Sequence, residues 1–399
     1  MRSAIVLTAL FLMLFSCSTL RTGVQVNRGG AEPSSYQDTL PLEYVKDKII
    51  LPVRINGKIR RFIFDTGAIT VISESLFQEM GYPVMSEDHF YDIHKNRDTS
   101  LLVRTGAMQL GSITFNRVPA IVYDLESLPW TCFQVDGIIG SNMIRDAAVQ
   151  VDLRDSLFIL AHDVRRLSEN MQEARSIRLD RQSAPHVDVQ FDSDHQGFFL
   201  FDSGREGFVN IRKDEFQLMK DRIPLRLKRQ GYGSDQMGMI GPGKNDRVYR
   251  IELDSILIAG QNIHHPHLEV TPNVSSIGSE LFQYGKVTLD YKGKRFQLDP
   301  YQKPVEYQMS EKRGFGFSPI IKQDTFRVGL VWENSLVDSL GLEPGNRILR
   351  INQYNYADSL EQAFCKSFMN NVLQDSETLE MIYQDQKGAY KRVKLKRKR

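Results

Sequence analysis

Asp65 and Asp202 each follow a run of large apolar residues and precede a small hydroxyl residue and a glycine, in FIFDTGA at 62–68 and FLFDSGR at 199–205. An apolar strand that ends in Asp-Thr/Ser-Gly turns sharply and presents its carboxylate at the edge of a core. Two such carboxylates brought together cannot both ionise cheaply, so they share a proton. One then serves as base towards a water and the other as acid, which is peptide hydrolysis without metal or covalent intermediate. For either motif alone, a turn whose aspartate caps its own backbone is the plainer reading.

The two motifs belong to a larger repeat. GIIGSNMI at 137–144 is echoed by SSIGSELF at 275–282, and VDLRDSLFIL at 151–160 by LDYKGKRFQL at 289–298. From Asp65 to Gly140 is 75 residues and from Asp202 to Gly278 is 76, while Asp152 and Asp290 each lie 12 beyond their glycine. A period this long describes a duplicated lobe rather than a solenoid. Short alternating segments such as Ile49 to Ile55, Ile59 to Phe64, Val187 to Phe191 and Val248 to Leu253, punctuated by Gly, Asn and Asp, predict a β-rich body.

At these residues the chain resembles the aspartic proteases, in which an Asp-Thr/Ser-Gly from each lobe meets at the centre above a hydrophobic-hydrophobic-Gly segment, here Ile138-Ile139-Gly140 and Ser276-Ile277-Gly278. Lobes near 130 residues, with Ala68 after the first triplet, look closest to retropepsin-like proteases fused head to tail. The resemblance spans Leu42 to Pro300. It implies catalytic roles for Asp65 and Asp202, support from Thr66, Gly67, Ser203 and Gly204, and no cofactor or metal. It departs from the family at Arg205, a cation next to Asp202 where a small or hydroxyl residue is usual. An arginine there either favours ionised Asp202 or points away towards Glu206 or substrate. Ser141 and Ser279 stand where retroviral-type enzymes have an arginine. Lobe one lacks glycine from Tyr82 to Thr105, so the covering flap is expected in GYGSDQMGMIGPG at 231–243, with Tyr232 facing the cleft. A plain surface loop is the alternative there.

Beyond Pro300 the pattern changes. GFGF at 314–317 and VGLVWENSLVDSLGLEPGNRILRIN at 328–352 resemble a bacterial PDZ domain. The resemblance makes Gly314, Phe315, Gly316 and Phe317 a nest of backbone N–H groups for a peptide carboxylate, with the peptide added as a strand. Asp358 to Val372 is the expected groove helix. A module that only packs on the protease is the alternative.

Arg2, an apolar run from Ala4 to Phe15, and Ser16-Cys17 have the form of a secretory signal. Leu14 to Cys17 also resembles a bacterial lipobox, which implies acylation of Cys17 and a membrane-anchored envelope protein facing the periplasm or exterior; ordinary cleavage and secretion is the alternative. Cys132 and Cys365, more than two hundred residues apart, give no basis for a disulfide and are read as structural thiols. Hydrophobic residues at 41% and charged residues at 25% are globular values, and a formal charge of +2 excludes bulk nucleic-acid binding. Seven of the last nine residues are basic, and without them the charge is −5. That tail reads as a strand with a solvated basic end or as a contact for anionic lipid. The histidines at 264–267 read as a loop.

The expected protein is mainly β, a bilobal acid-protease (retropepsin-like) β-barrel pair followed by a small PDZ β-sandwich with helices. Its segments are a signal peptide at 1–16, a tether at 17–40, lobes at 41–165 and 178–305, and the PDZ domain at 310–399. The resemblance implies an aspartic endopeptidase acting on peptide or protein, with a peptide C-terminus at the PDZ groove. A catalytically silent peptide-binding adaptor of the same fold is the rival.

Overall fold

The strands Lys48–Ile55 and Lys58–Asp65 pair antiparallel about Asn56 and Gly57, both at positive φ as a tight two-residue hairpin turn requires. Gly137–Gly140 then inserts parallel to the second strand, Gly140 beside Asp65, and antiparallel to Val71–Ser73. Asp65 therefore ends a strand flanked on both sides. In the computed structural model, which describes residues 26–167, 171–234, 236–308 and 314–397, the second lobe repeats this scheme. Pro185–Gln190 pairs with Gln196–Phe201, and Ser276–Ile277 runs parallel to the latter and antiparallel to Val209–Arg212. Seven-residue helices, Glu74–Met80 and Lys213–Met219, follow the equivalent strands.

The third repeated motif joins the lobes. Ala148–Asp152 pairs antiparallel with Gly285–Asp290, and each carries its hairpin partner outward, Leu157–Ala161 and Arg295–Pro300, into one six-stranded sheet. One apolar cluster runs through both lobes, with Phe64 edge-on to Phe158 and Phe201 edge-on to Phe296 as corresponding pairs.

Three expectations are corrected here. Residues 26–40, read as tether, belong to the body: Val26 is buried, Gly30–Glu32 pairs with Ile113–Asn116, and Gln37–Pro41 extends the inter-lobe sheet on Leu157–Ala161. Strand pairing orders a polar stretch that burial alone would leave free. The signal segment, Cys17 and the rest of the tether lie outside the described residues. The second correction concerns Cys132 and Cys365, which are disulfide-bonded. Chain separation does not limit spatial separation, and the fold lays the turn Trp130–Phe133 against the helix Leu360–Met369, with Phe133 edge-on to Phe368.

The third concerns Tyr232. Its strand, Leu225–Gly233, pairs with Phe326–Trp332 of the C-terminal unit, Gly231 opposite Trp332 and Gly233 opposite Leu330. A side chain at Gly233 would meet the Gly329 carbonyl at 2.0 Å, so these glycines permit a close strand pairing, and Tyr232 is left half exposed outside the cleft. The rest of the C-terminal unit is Phe317–Ile321, Arg347–Ile351, Thr378–Gln384 and Tyr390–Lys396 around a separate apolar cluster. The basic tail is the last strand, with Leu395 fully buried and lysines outward. Among the described residues no helix is long and apolar enough to cross a membrane.

Because the disulfide closes a loop of more than two hundred residues, Cys132→Ser or Cys365→Ser is expected to destabilise the chain by about 2–4 kcal/mol in urea unfolding. A non-reducing digest should yield one cross-linked peptide containing both cysteines; free thiols at both positions would contradict the pairing.

Candidate active site

Thr66 and Ser203, both fully buried, clasp the two motifs together. The Thr66 N–H donates to Ser203 Oγ at 2.9 Å and the Ser203 N–H to Thr66 Oγ1 at 3.0 Å. Each hydroxyl then donates onward across the interface, Thr66 Oγ1 to the Phe201 carbonyl at 2.5 Å and Ser203 Oγ to the Phe64 carbonyl at 3.0 Å. Every donor in this ring has a partner, as burial demands. The clasp sets the carboxylates against the opposite turns. Gly67 N–H donates to Asp65 at 2.8 Å and Gly204 N–H to Asp202 at 3.0 Å. A Cβ at Gly67 would lie 2.7 Å from the Asp202 carboxyl carbon, and one at Gly204 would lie 2.1 Å from Asp65 Oδ2. Only glycine allows that approach. The structure thus brings together Asp65, Thr66, Gly67, Asp202, Ser203 and Gly204.

Burial, and next the charge of Asp202, hold the Asp65 carboxyl well above the usual carboxylate range, against the Gly67 N–H and Lys48. Arg205 turns its guanidinium into carbonyls of its own lobe. It donates to the carbonyls of Glu206 at 2.9 Å, Phe208 at 2.8 Å and Ser276 at 3.3 Å. Burial lowers it from its ordinary value, with Asp202 the leading charge in the opposite sense. Ser141 bonds the Thr66 carbonyl at 2.7 Å and the buried Tyr291 hydroxyl at 2.7 Å, bracing the first turn from below.

Lobe one covers the pair with the hairpin Val84–Tyr91 and Arg97–Arg104, where want of glycine argued against a flap. Its tip is built on Asp92, whose carboxylate accepts from the N–H groups of His94 and Asn96 at 2.9 Å, with Lys95 at positive φ. Asp, Asn and a strained lysine do the work expected of glycine. The tip meets residues 236–242 of lobe two: Asn96 donates to the Gly241 and Pro242 carbonyls at 3.2 Å, and His94 bonds Asn273 at 2.8 Å. Tyr123 and Trp130 both donate to the Met239 carbonyl, at 2.7 and 3.2 Å. Together these enclose a cavity of about 210 Å³ over Asp65 and Asp202, walled by Phe90, Ile121, Met237 and Met239. The glycine-rich segment thus contributes through residues beyond Tyr232.

A second cavity, about 340 Å³, lies between strand Phe317–Ile321, helix Leu360–Met369 and the lobes. It shares Trp130, Gly204, Arg205, Gln236 and Met237 with the first. Phe364 and Phe368 line it from the helix, and Lys48, Arg205 and Glu206 from the side of the aspartate pair. Phe315 and Phe317 of the expected carboxylate loop are buried, and the Gly316 carbonyl accepts from Trp332 N–H at 2.9 Å. Gly314, Phe315 and Gly316 line a third, basic cavity of about 760 Å³ with Arg229, Arg250 and Arg397. Among the described residues no cluster of three or more His, Cys, Asp or Glu is arranged to hold a metal.

Sequence reasoning missed Lys48, Tyr291, the hairpin tip and Trp130. Lys48 alone left a signal, a cation heading the apolar run IILPV of its strand.

Residues 51–143, in the lobe that carries Asp65, match the family model described as Aspartyl protease. No curated protein matches the chain. Among solved structures it is similar to a retropepsin-like aspartic protease from Rickettsia conorii, at 14% identity over 34% of this chain and 94% of that one, TM-score 0.24. It is also similar to Basic 7S globulin from soybean, at 9% identity over 66% and 95% with TM-score 0.38. Conglutin gamma, a basic 7S globulin from lupine seeds, is similar at 10% identity over 67% and 96% with TM-score 0.37. The family match and the mainly β architecture support an aspartic protease-like β fold.

Removing either hydroxyl leaves buried backbone N–H and C=O groups unpaired. Thr66→Val and Ser203→Ala are each expected to lower unfolding free energy by about 1–3 kcal/mol in urea titration. Loss of less than about 0.5 kcal/mol in both would mean the clasp is not structural.

Proposed function

We propose that the chain is an aspartic endopeptidase in which Asp65 and Asp202 activate a water between them. The observation that carries this reading is the symmetric approach of the two carboxylates, each hydrogen-bonded to its own turn's glycine N–H and packed on the opposite turn's glycine. One carboxylate, ionised, takes a proton from the water as it attacks the peptide carbonyl. The other, protonated, donates to the carbonyl oxygen and later helps pass a proton to the departing amine. The cover formed by the hairpin tip and residues 236–242 excludes bulk water from this exchange and has to open for an extended substrate.

The C-terminal unit is a PDZ domain in this reading. Its strand Phe317–Ile321 and helix Leu360–Met369 flank an apolar groove suited to a peptide C-terminus, and that groove adjoins the catalytic cavity. Acylated Cys17 would hold the enzyme at the envelope membrane, and Cys17→Ala is expected to abolish partition into a detergent phase. Unchanged partition would end the lipoprotein reading.

A second reading, a silent peptide-binding adaptor, draws on Lys48 and Arg205 beside the pair. The two are separated by incubating the full chain with a diverse peptide mixture from pH 4 to 8. Asp65→Asn and Asp202→Asn are each expected to reduce cleavage by about 10²–10⁴-fold with the fold unchanged by circular dichroism. No cleavage at any pH, or full cleavage by either variant, would overturn the enzyme.

A further inference from the structure

The duplicated lobes are not equivalent in charge around the two aspartates: each carries one cation that the other lacks. Ile49 pairs with Phe64, which puts Lys48 across from Asp65; His186 pairs with Leu200, which puts Ala184 across from Asp202. Three residues after the aspartates the asymmetry reverses, with Ala68 in lobe one and Arg205 in lobe two. Arg205 is held by carbonyls of its own lobe. Lys48 instead crosses the interface. Its ammonium donates to the Gly204 carbonyl at 2.5 Å and lies 3.6 Å from the Glu206 carboxylate.

Gly204, like Gly67 in the other turn, touches both carboxylates, donating to Asp202 and packing on Asp65. The Lys48 side chain is only 10% exposed while Glu206 is 55% exposed, so that ion pair is largely solvent-screened. Burying an ammonium is unfavourable unless nearby negative charge offsets it. A neutral donor would serve the Gly204 carbonyl equally well. The charged groups around Lys48 are Asp65 from its partner strand and Asp202, Arg205 and Glu206 from the opposite turn, with Glu269 and Glu280 beyond Arg205 and the Tyr291 hydroxyl beneath Asp65.

We infer that Lys48 is a positioning residue for the aspartate pair: it ties the Ser203–Gly204 turn to lobe one, and its charge moves the pH range over which the pair carries a single negative charge downward. The inference rests on the reading of the pair as acid and base, but part of its test does not require cleavage.

Lys48→Gln keeps an N–H donor for the Gly204 carbonyl and removes the charge, whereas Lys48→Arg keeps the charge. With the full chain and a peptide it cleaves, both limbs of the kcat/KM profile are expected to move to higher pH by about one unit in Lys48→Gln and to stay in Lys48→Arg. A uniform fall in rate with both limbs unmoved would reduce Lys48 to a structural tie and overturn the inference. A shift in Arg205→Ala without one in Lys48→Gln would overturn it in favour of the other cation.

The second arm is thermal melting from pH 4 to 8. A carboxyl held above its usual range stabilises the fold at low pH, and that stability is lost as pH rises through the folded value. Removing the cation extends this loss, so the melting temperature of Lys48→Gln should fall more steeply with pH than that of the parent. In an Asp65→Asn background the added slope should vanish. Equal slopes, or a slope that persists without Asp65, overturn the inference even if the parent cleaves nothing, an outcome that would separately end the enzyme reading.

Discussion

Four hydrogen bonds between the Thr66 and Ser203 turns hold the centre of this molecule, and the remaining architecture keeps them dry and in register. Each turn would otherwise bury a backbone N–H and a strand-end carbonyl without partners, so neither lobe satisfies its own centre alone. The inserted strands Gly137–Gly140 and Ser276–Ile277 fix the direction of each turn, and the six-stranded sheet fixes the distance between them. With both set, the carboxylates have no freedom to separate. Their electrostatic conflict is built in, and together with burial it holds the Asp65 carboxyl above its usual range.

Away from the centre the two-fold symmetry is abandoned. Lobe one turns its long hairpin over the cavity, while lobe two extends the corresponding strands until Leu225–Gly233 joins the sheet of the C-terminal unit. The disulfide ties that unit back to lobe one through helix Leu360–Met369. The C-terminal unit is consequently fastened to both lobes, by strand pairing on one side and a covalent bond on the other.

The centre was legible in the sequence because its requirements are local and doubled. Asp-Thr-Gly and Asp-Ser-Gly, Gly140 and Gly278, and the hairpins at 151–160 and 289–298 have fixed spacings in both copies, and each maps onto the same strand pairing. What escaped depends on contacts between distant segments. The Cys132–Cys365 bond is set by how the C-terminal unit docks, which no spacing records. The hairpin cover was missed because Asp92 side-chain bonds and Lys95 at positive φ replaced the glycines sought there. Tyr232 was misplaced because glycines that suit a mobile loop suit close strand packing equally well. Lys48 was visible as an odd residue in an apolar strand, but its meaning lies in the Gly204 carbonyl of the other lobe.

The two neighbouring cavities constrain how the parts can act. Gly204, Arg205, Trp130, Gln236 and Met237 line both, so a ligand seated against Phe364 and Phe368 borders the turn that carries Asp202 and the segment that covers it. Residues 236–242 are held to lobe one by Tyr123, Trp130 and Asn96, and they continue from a strand paired with the C-terminal unit. Opening the cover for an extended chain therefore has to disturb bonds on one side while the strand anchor persists on the other. Strand pairing through Gly233 at one end and hydrogen bonds to the Met239, Gly241 and Pro242 carbonyls at the other hold this segment, with Gln236 and Met237 bordering both cavities.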